Sequence, residues 1–306
     1  MNTTPSFTHT LRQRWQAADS MLCVGLDPDP ARIPAHLGTG PEAIDRFCRD
    51  IIAATADTVC AFKPQIAYFA AQGAEDVLAG LIAHIHAKHP GIPVILDAKR
   101  GDIGSTARQY GVEAFDRFKA DALTLSPFMG FDSIEPYFEW AGRGLILLCR
   151  TSNPGGNDLQ ALSVLPAGDT TGTPPGAQSP RQSASDTASS AQPEKLYEHL
   201  ARLAAGPWNV NGELGLVVGA TFPDELARVR ALAPRLPLLV PGVGAQGGDV
   251  NATVRAGLDA DGYGLVINSS RAILYAGKGT DFADQARKAA VATRDAIRAA
   301  RDAARA

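Results

Sequence analysis

Short apolar runs recur along the chain, and between them apolar positions fall three and four residues apart. The runs cover Met21–Leu26, Val59–Lys63, Pro93–Asp97, Ala122–Leu125, Gly144–Cys149, Leu214–Val218, Leu238–Val240 and Gly262–Ile267. Runs this short and this continuous, rich in Val, Ile and Leu, predict strands buried on both faces. The segments between them include EAIDRFCRDIIAATAD and AEDVLAGLIAHIHAKH, whose spacing predicts amphipathic helices. Alternation of the two patterns predicts βαβ units and a parallel sheet. Eight repeats in 306 residues predict a single-domain (β/α)8 barrel in preference to an open doubly wound sheet.

One segment breaks this rhythm. Residues 163–193 read SVLPAGDTTGTPPGAQSPRQSASDTASSAQP, with no apolar periodicity. Such a composition buries too little surface to offset the entropy of ordering it. We expect a flexible insertion after the fifth strand. A domain boundary here would leave two half barrels, neither able to close.

Composition narrows the function classes. A net charge of −3 argues against a generic nucleic-acid binder, which is usually basic. No apolar run approaches the roughly 20 residues needed to cross a bilayer. The opening MNTTPSFTHTLRQRW has neither an apolar core nor a small-residue cleavage site, so we expect a cytoplasmic protein. Cys23, Cys48, Cys60 and Cys149 are scattered without C-x-x-C spacing, and we read them as reduced core thiols.

The charged residues cluster where the runs end. The third run leads into ILDAKRGDIGST, placing Asp97, Lys99, Arg100 and Asp102 directly after a buried strand. Residues two apart on a strand share a face, so Asp97 and Lys99 point the same way. At the carboxyl end of a barrel strand that direction is the mouth, where catalytic groups gather. A structural ion-pair network is the competing reading, because buried charges persist only when paired. Lys63 ends the second run, and Pro64 is expected to stop the ladder there; the lysine is a second cation for this array or snorkels to the rim. Asp27 in VGLDPDP is an ordinary loop acid or an acceptor for sugar hydroxyls. The LLVPGVGAQGGDV stretch frees backbone N–H groups through its glycines, and Asp249 then starts a helix. That arrangement suits phosphate. Ser270 and Arg271 in LVINSSRAI supply a second grip at the loop that follows the last strand. Ser152 and Asn153 in RTSNPGG are turn residues or hydrogen-bonding partners for a heterocycle.

Together these segments resemble the orotidine 5'-phosphate decarboxylase family. DAKRGDIGST matches its D-x-K-x-x-D-I-x-x-T signature, and LDPDP, FKPQIAYF, TSNPGG and PGVGAQGGD are similar to its longer bacterial members, in order along essentially the whole chain except the insertion. The resemblance implies decarboxylation of orotidine 5'-monophosphate to UMP without metal or cofactor. It implies that Asp27 and Lys63 hold the ribose hydroxyls, with Lys63 also in the charged array. Asp97 then faces the substrate carboxylate and Lys99 is the proton donor. Ser152 contacts the pyrimidine. Gln246 bridges base and phosphate, and Gly247, Ser270 and Arg271 lie at the phosphate. A homodimer is implied, with Asp102, Ile103 and Thr106 entering the neighbouring subunit's site. Two rivals remain open at this level. One is a metal-dependent sugar-phosphate decarboxylase or aldolase with a similar signature. The other is a non-catalytic nucleotide-monophosphate binder, which needs the phosphate grip and not Lys99.

Overall fold

The computed structural model describes residues 6–166, 192–243 and 248–305. The eight apolar runs form eight parallel strands: β1 (Leu22–Leu26), β2 (Ala61–Pro64), β3 (Ile95–Arg100), β4 (Ala122–Leu125), β5 (Gly144–Arg150), β6 (Leu214–Val218), β7 (Leu238–Pro241) and β8 (Leu265–Ser269). Each pairs with its neighbours in sequence, and β8 returns to β1 through Leu22↔Ile267 and Cys23↔Asn268. The bridges Phe62↔Val94 and Gln65↔Asp97 join β2 to β3. The sheet therefore closes on itself as the expected (β/α)8 barrel, with no free edge to protect.

The two segments read as helices form at Gly40–Thr55 and Glu75–Lys88. Others follow later strands, and Phe282–Arg305 closes the ring by packing on the helices Gly40–Thr55 and Val250–Gly257. An additional helix, Phe7–Ala18, precedes β1 and buries Phe7, Leu11 and Trp15. Phe7 lies over Gly144 at the start of β5, where a Cβ would stand 2.2 Å from its ring. This helix covers the amino-terminal end of the barrel, leaving the opposite end for chemistry. None of the described helices is long and apolar enough to cross a membrane.

Strand limits shift by one to three residues where side chains or turns intervene. β8 begins only at Leu265 because Gly262 (φ 81°) and Gly264 (φ 92°) are turn positions. Pro64 belongs to β2 and does not stop its ladder, since the next residue, Gln65, donates its N–H to Leu26 O at 3.2 Å. The proline's missing donor is not needed there. The start of the expected insertion is ordered: Ser163–Val164 pairs antiparallel with Glu194–Lys195. Glu194 is buried, and it pairs with His199 and Arg202. This ribbon brings the two ends of the segment together; residues 167–191 lie outside the described residues.

Candidate active site

The β3 end builds a three-charge array around one carboxylate. Asp97 Oδ2 accepts from Lys63 Nζ at 3.0 Å, and Asp97 Oδ1 accepts from Lys99 Nζ at 2.6 Å and from Thr124 Oγ1 at 3.0 Å. Thr124 Oγ1 itself accepts from the Ala98 and Lys99 amides, both at 3.0 Å. With its acceptor capacity used by two N–H groups, the hydroxyl's single proton is committed to Asp97. Those two amides are turned out of the β3–β4 ladder, whose register shifts between Leu96 and Arg100. Lys99 adopts φ 45°, a left-handed conformation rare for a side-chain-bearing residue. Simple alternation anticipates Asp97 and Lys99 together, and they do meet, but across this bulge. Arg100 leaves the array for a bidentate bond to Glu113 at 2.9 and 3.0 Å.

Burial decides how strongly these charges act. Lys63 is 4% and Asp97 8% exposed, whereas the Lys99 side chain is 47% exposed. Burial alone pushes the Asp97 carboxyl up, but Lys63, Lys99 and their hydrogen bonds outweigh it and hold Asp97 well below the usual range. For Lys63, burial pulls the ammonium down, and Asp97 with Asp27 raises it above its ordinary value. Both groups therefore stay charged at neutral pH. Of the three, Lys99 alone reaches far into solvent, poised toward whatever occupies the mouth.

A cavity of about 420 Å3 opens on this array, lined by Lys63, Asp97, Lys99 and Thr124 and also by Thr151, Ser152 and Asn153. Asp27 lies at the end of β1, close enough to raise Lys63, and its buried Oδ1 has no partner among the described residues. Asn268 on β8 leaves its Oδ1 equally unmatched while its Nδ2 donates to Ser270 Oγ at 3.2 Å. Buried acceptors without donors are rare, and both stand near the carboxyl ends of their strands. At the β7 end, Gly242 turns with φ 99°, Val243 bridges Gly248, and the Asp249 side chain caps the helix Val250–Gly257. Gln246 and Gly247 lie outside the described residues. Arg271 is exposed at the start of the short helix after β8, next to half-buried Ser270.

Asp102, Ile103 and Thr106 do not join this chain's array. Asp102, at φ 76°, bonds the neighbouring Ile103 amide at 2.8 Å. Ile103 immediately precedes the helix Gly104–Gly111, and it projects outward with Thr106. The sequence reading missed Thr124, Asn268 and Tyr275. Thr124 was legible as the lone hydroxyl in the apolar run ALTL. Tyr275 donates to Asp27 O at 2.8 Å and accepts from Asp29 N at 2.6 Å, which shapes the LDPDP loop. Burial pushes its phenol up to about 12, so it remains a donor. Nothing in sequence links residue 275 to residue 27. All four cysteines are free and buried, and burial pushes the Cys23 thiol up to about 12. Among the described residues no group of three or more His, Cys, Asp or Glu is placed to hold a metal.

Comparison with known proteins settles the kinship. The family model described as Orotidine 5'-phosphate decarboxylase / HUMPS family matches residues 20–172. Orotidine 5'-phosphate decarboxylase of Azoarcus sp. (strain BH72) is 63% identical over 295 residues, covering 96% of this chain and 99% of that protein. The chain belongs to the orotidine 5'-phosphate decarboxylase family. The enzyme of the same name from Dechloromonas aromatica (strain RCB) is 60% identical over 292 residues, covering 95% and 98%. Among solved structures, Leishmania donovani OMP decarboxylase has a TM-score of 0.76 at 40% identity, covering 97% of this chain and 99% of that one. A putative orotidine-monophosphate decarboxylase from Toxoplasma gondii has a TM-score of 0.80 at 34% identity, covering 98% and 97%. The decarboxylase family read from the motifs is thus the family found, and the two rivals are not favoured.

Proposed function

We propose that this protein is a carboxy-lyase that converts orotidine 5'-monophosphate to UMP and CO2, the last step of de novo UMP synthesis. The observation that carries the reading is the Lys63–Asp97–Lys99 array at the barrel mouth of a chain from this family. The bond between the ring carbon and its carboxylate breaks, CO2 departs, and the electron pair stays on the ring carbon. That carbon has no adjacent carbonyl to spread the charge. The Lys99 ammonium stabilises the pair and then gives it a proton; the resulting amine recovers a proton from water.

An ammonium about 4 Å from the carbanion contributes roughly 4 kcal/mol at an effective dielectric of 20. That is about a thousandfold in rate, well short of what so unfavourable a cleavage demands. The remainder comes from charges fixed before the reaction and from binding energy remote from the reacting carbon. In this reading Asp97 faces the substrate carboxylate, and Asp27 with Lys63 holds the ribose hydroxyls. Ser152 meets the pyrimidine. Gln246, Gly247, Ser270 and Arg271 attend the phosphate. The exposure of Ile103 and Thr106, with Asp102 beside them outside this chain's array, supports a homodimer in which each chain completes its partner's site. We place the enzyme in the cytoplasm, in keeping with its four free, buried cysteines.

Ultraviolet absorbance of orotidine 5'-monophosphate, followed with purified protein with and without a chelator, tests this directly. Turnover indifferent to the chelator is expected. A folded protein that binds the nucleotide without turning it over, or one that the chelator inactivates, overturns the reading.

A further inference from the structure

Thr151, Ser152 and Asn153 form one wall of the cavity. They begin a loop whose only regular structure is the short turn Pro154–Asp158. What holds this loop is Arg150, the last residue of β5. It is the largest fully buried side chain, at 0% exposure, and it lines no part of the cavity. Its Nε donates to Glu225 Oε2 at 2.5 Å, on the helix Pro223–Leu232. Nη2 donates to Asn157 Oδ1 at 2.5 Å, and Nη1 to Gln160 Oε1 at 3.4 Å. Its guanidinium carbon lies 3.9 Å from the Phe222 ring centroid. Gln160 Oε1 in turn accepts from Thr151 N at 2.9 Å. One buried cation thus reaches both ends of the loop.

The far side of the loop is seated on the end of β6. Gly219 N donates to Arg150 O at 2.7 Å, and Thr221 Oγ1 donates to Ser152 O at 3.2 Å. A Cβ on residue 219 would stand 2.6 Å from Ser152 Cα, so the approach needs glycine.

We propose that Arg150, with Glu225 as its counter-ion, is a positioning residue that sets where the Ser152 hydroxyl meets the pyrimidine. This rests on the assignment of Ser152 made above. A buried cation stabilises little by itself compared with apolar packing, so its presence beside a cavity it does not touch calls for a geometric role. Lysine cannot replace it. A single ammonium lacks the planar fork that serves Glu225, Asn157 and Gln160 while stacking on Phe222.

The test is a double-mutant cycle between Arg150→Lys and Ser152→Ala, read as kcat/KM for orotidine 5'-monophosphate and as thermal midpoint. Displacement of a binding group by about 1 Å can cost up to about a hundredfold. We expect Arg150→Lys to lower kcat/KM at least tenfold in the native background and less than twofold beside Ser152→Ala. The loss of thermal midpoint should be the same in both backgrounds. Equal fold-losses in the two backgrounds mean that Arg150 only stabilises the fold, and overturn the proposal. So does an active Arg150→Lys variant when Ser152→Ala is impaired. If Ser152→Ala alone leaves kcat/KM unchanged, the pyrimidine assignment fails first and takes the proposal with it. Should Arg150→Lys not fold, Gln160→Ala and Gly219→Ala, each disturbing one side of the loop, carry the same comparison.

Discussion

Replacing Asp97 with Asn removes one negative charge and leaves two ammoniums facing a neutral amide. Asp97 accepts from Lys63 on one oxygen and from Lys99 and Thr124 on the other. An amide has one acceptor, so its NH2 must face a donor whichever way it turns. The cheaper orientation keeps oxygen on Lys63, which is 4% exposed, because the Lys99 side chain is 47% exposed and can swing into water. Breaking a buried pair costs about 3–5 kcal/mol. The retained hydrogen bond and the escape of Lys99 put this case near 3 kcal/mol. At about 2–4 °C per kcal/mol, the thermal midpoint should fall by about 6–12 °C. Since the Asp97 carboxyl is held well below its usual range, its contribution is present above about pH 4 and fades as pH falls toward the folded value. The Lys63 ammonium is raised, so its contribution is present up to about pH 10.4 and is lost only as pH rises through the higher folded value. The wild-type-minus-mutant difference should be flat from about pH 5 to 9 and shrink by about 1.4 kcal/mol per unit below about pH 4. Urea titrations at stepped pH measure it, with turnover assayed alongside and expected to drop at least a hundredfold as Lys99 loses its anchor. A deficit under about 1 kcal/mol at neutral pH, or one undiminished near pH 3, refutes the reasoning.

Lys99→Ala removes the proton source and should cost at least about three orders of magnitude in turnover. A product-like nucleotide, followed by calorimetry, should still bind it. Arg271→Ala should lower kcat/KM for the phosphorylated substrate and leave a phosphate-free nucleoside nearly unaffected, since remote binding energy is the only thing it removes; equal losses on both contradict the phosphate role. If Asp102 serves the partner's site, Lys99→Ala and Asp102→Ala homodimers are each nearly inactive, yet a re-assorted equal mixture recovers about 25% of wild-type activity, because half its dimers hold one intact site. A mixture that stays inactive after subunit exchange places Asp102 in its own chain's site.

The barrel was legible because its strands are buried on both faces and so read as unbroken apolar runs. The carboxyl ends of those runs pointed to Lys63, Asp97 and Lys99, which the structure brings together, although Arg100 and Arg150 at similar strand ends make ion pairs outside the array. What escaped was geometry set by contacts distant in sequence. Thr124 lies 27 residues from Asp97 and Tyr275 lies 248 from Asp27, and neither pairing leaves a local pattern. Pro64 misled because its position in the ladder, and not its presence, decides whether a strand ends. Ser163 and Val164 look like the start of a low-complexity tract, yet they pair with Glu194–Lys195. A partner some 30 residues away overrides a weak local signal.

Several places where the chain breaks its own local rules lie at the mouth. Among the described residues, four other than glycine carry positive φ, and two of them, Lys99 and Asp102, flank the β3 end. Asp19 closes the helix Phe7–Ala18, a position where the left-handed conformation is ordinary. At Lys99 no helix end explains the strain, which costs about 1–3 kcal/mol at such sites. Two of the unmatched buried acceptors, Asp27 Oδ1 and Asn268 Oδ1, also sit at strand ends there. The strained Lys99 is compensated by a 2.6 Å bond to Asp97, so the strain and the array are one feature: the backbone is bent to bring an ammonium to a carboxylate that Lys63 has already fixed. On the function proposed above, ribose hydroxyls donating to Asp27 and Asn268 would fill the acceptors that have no partner among the described residues. An array held in place by Lys63 and Thr124 before substrate arrives is the preorganisation that carbanion chemistry without a delocalising group requires.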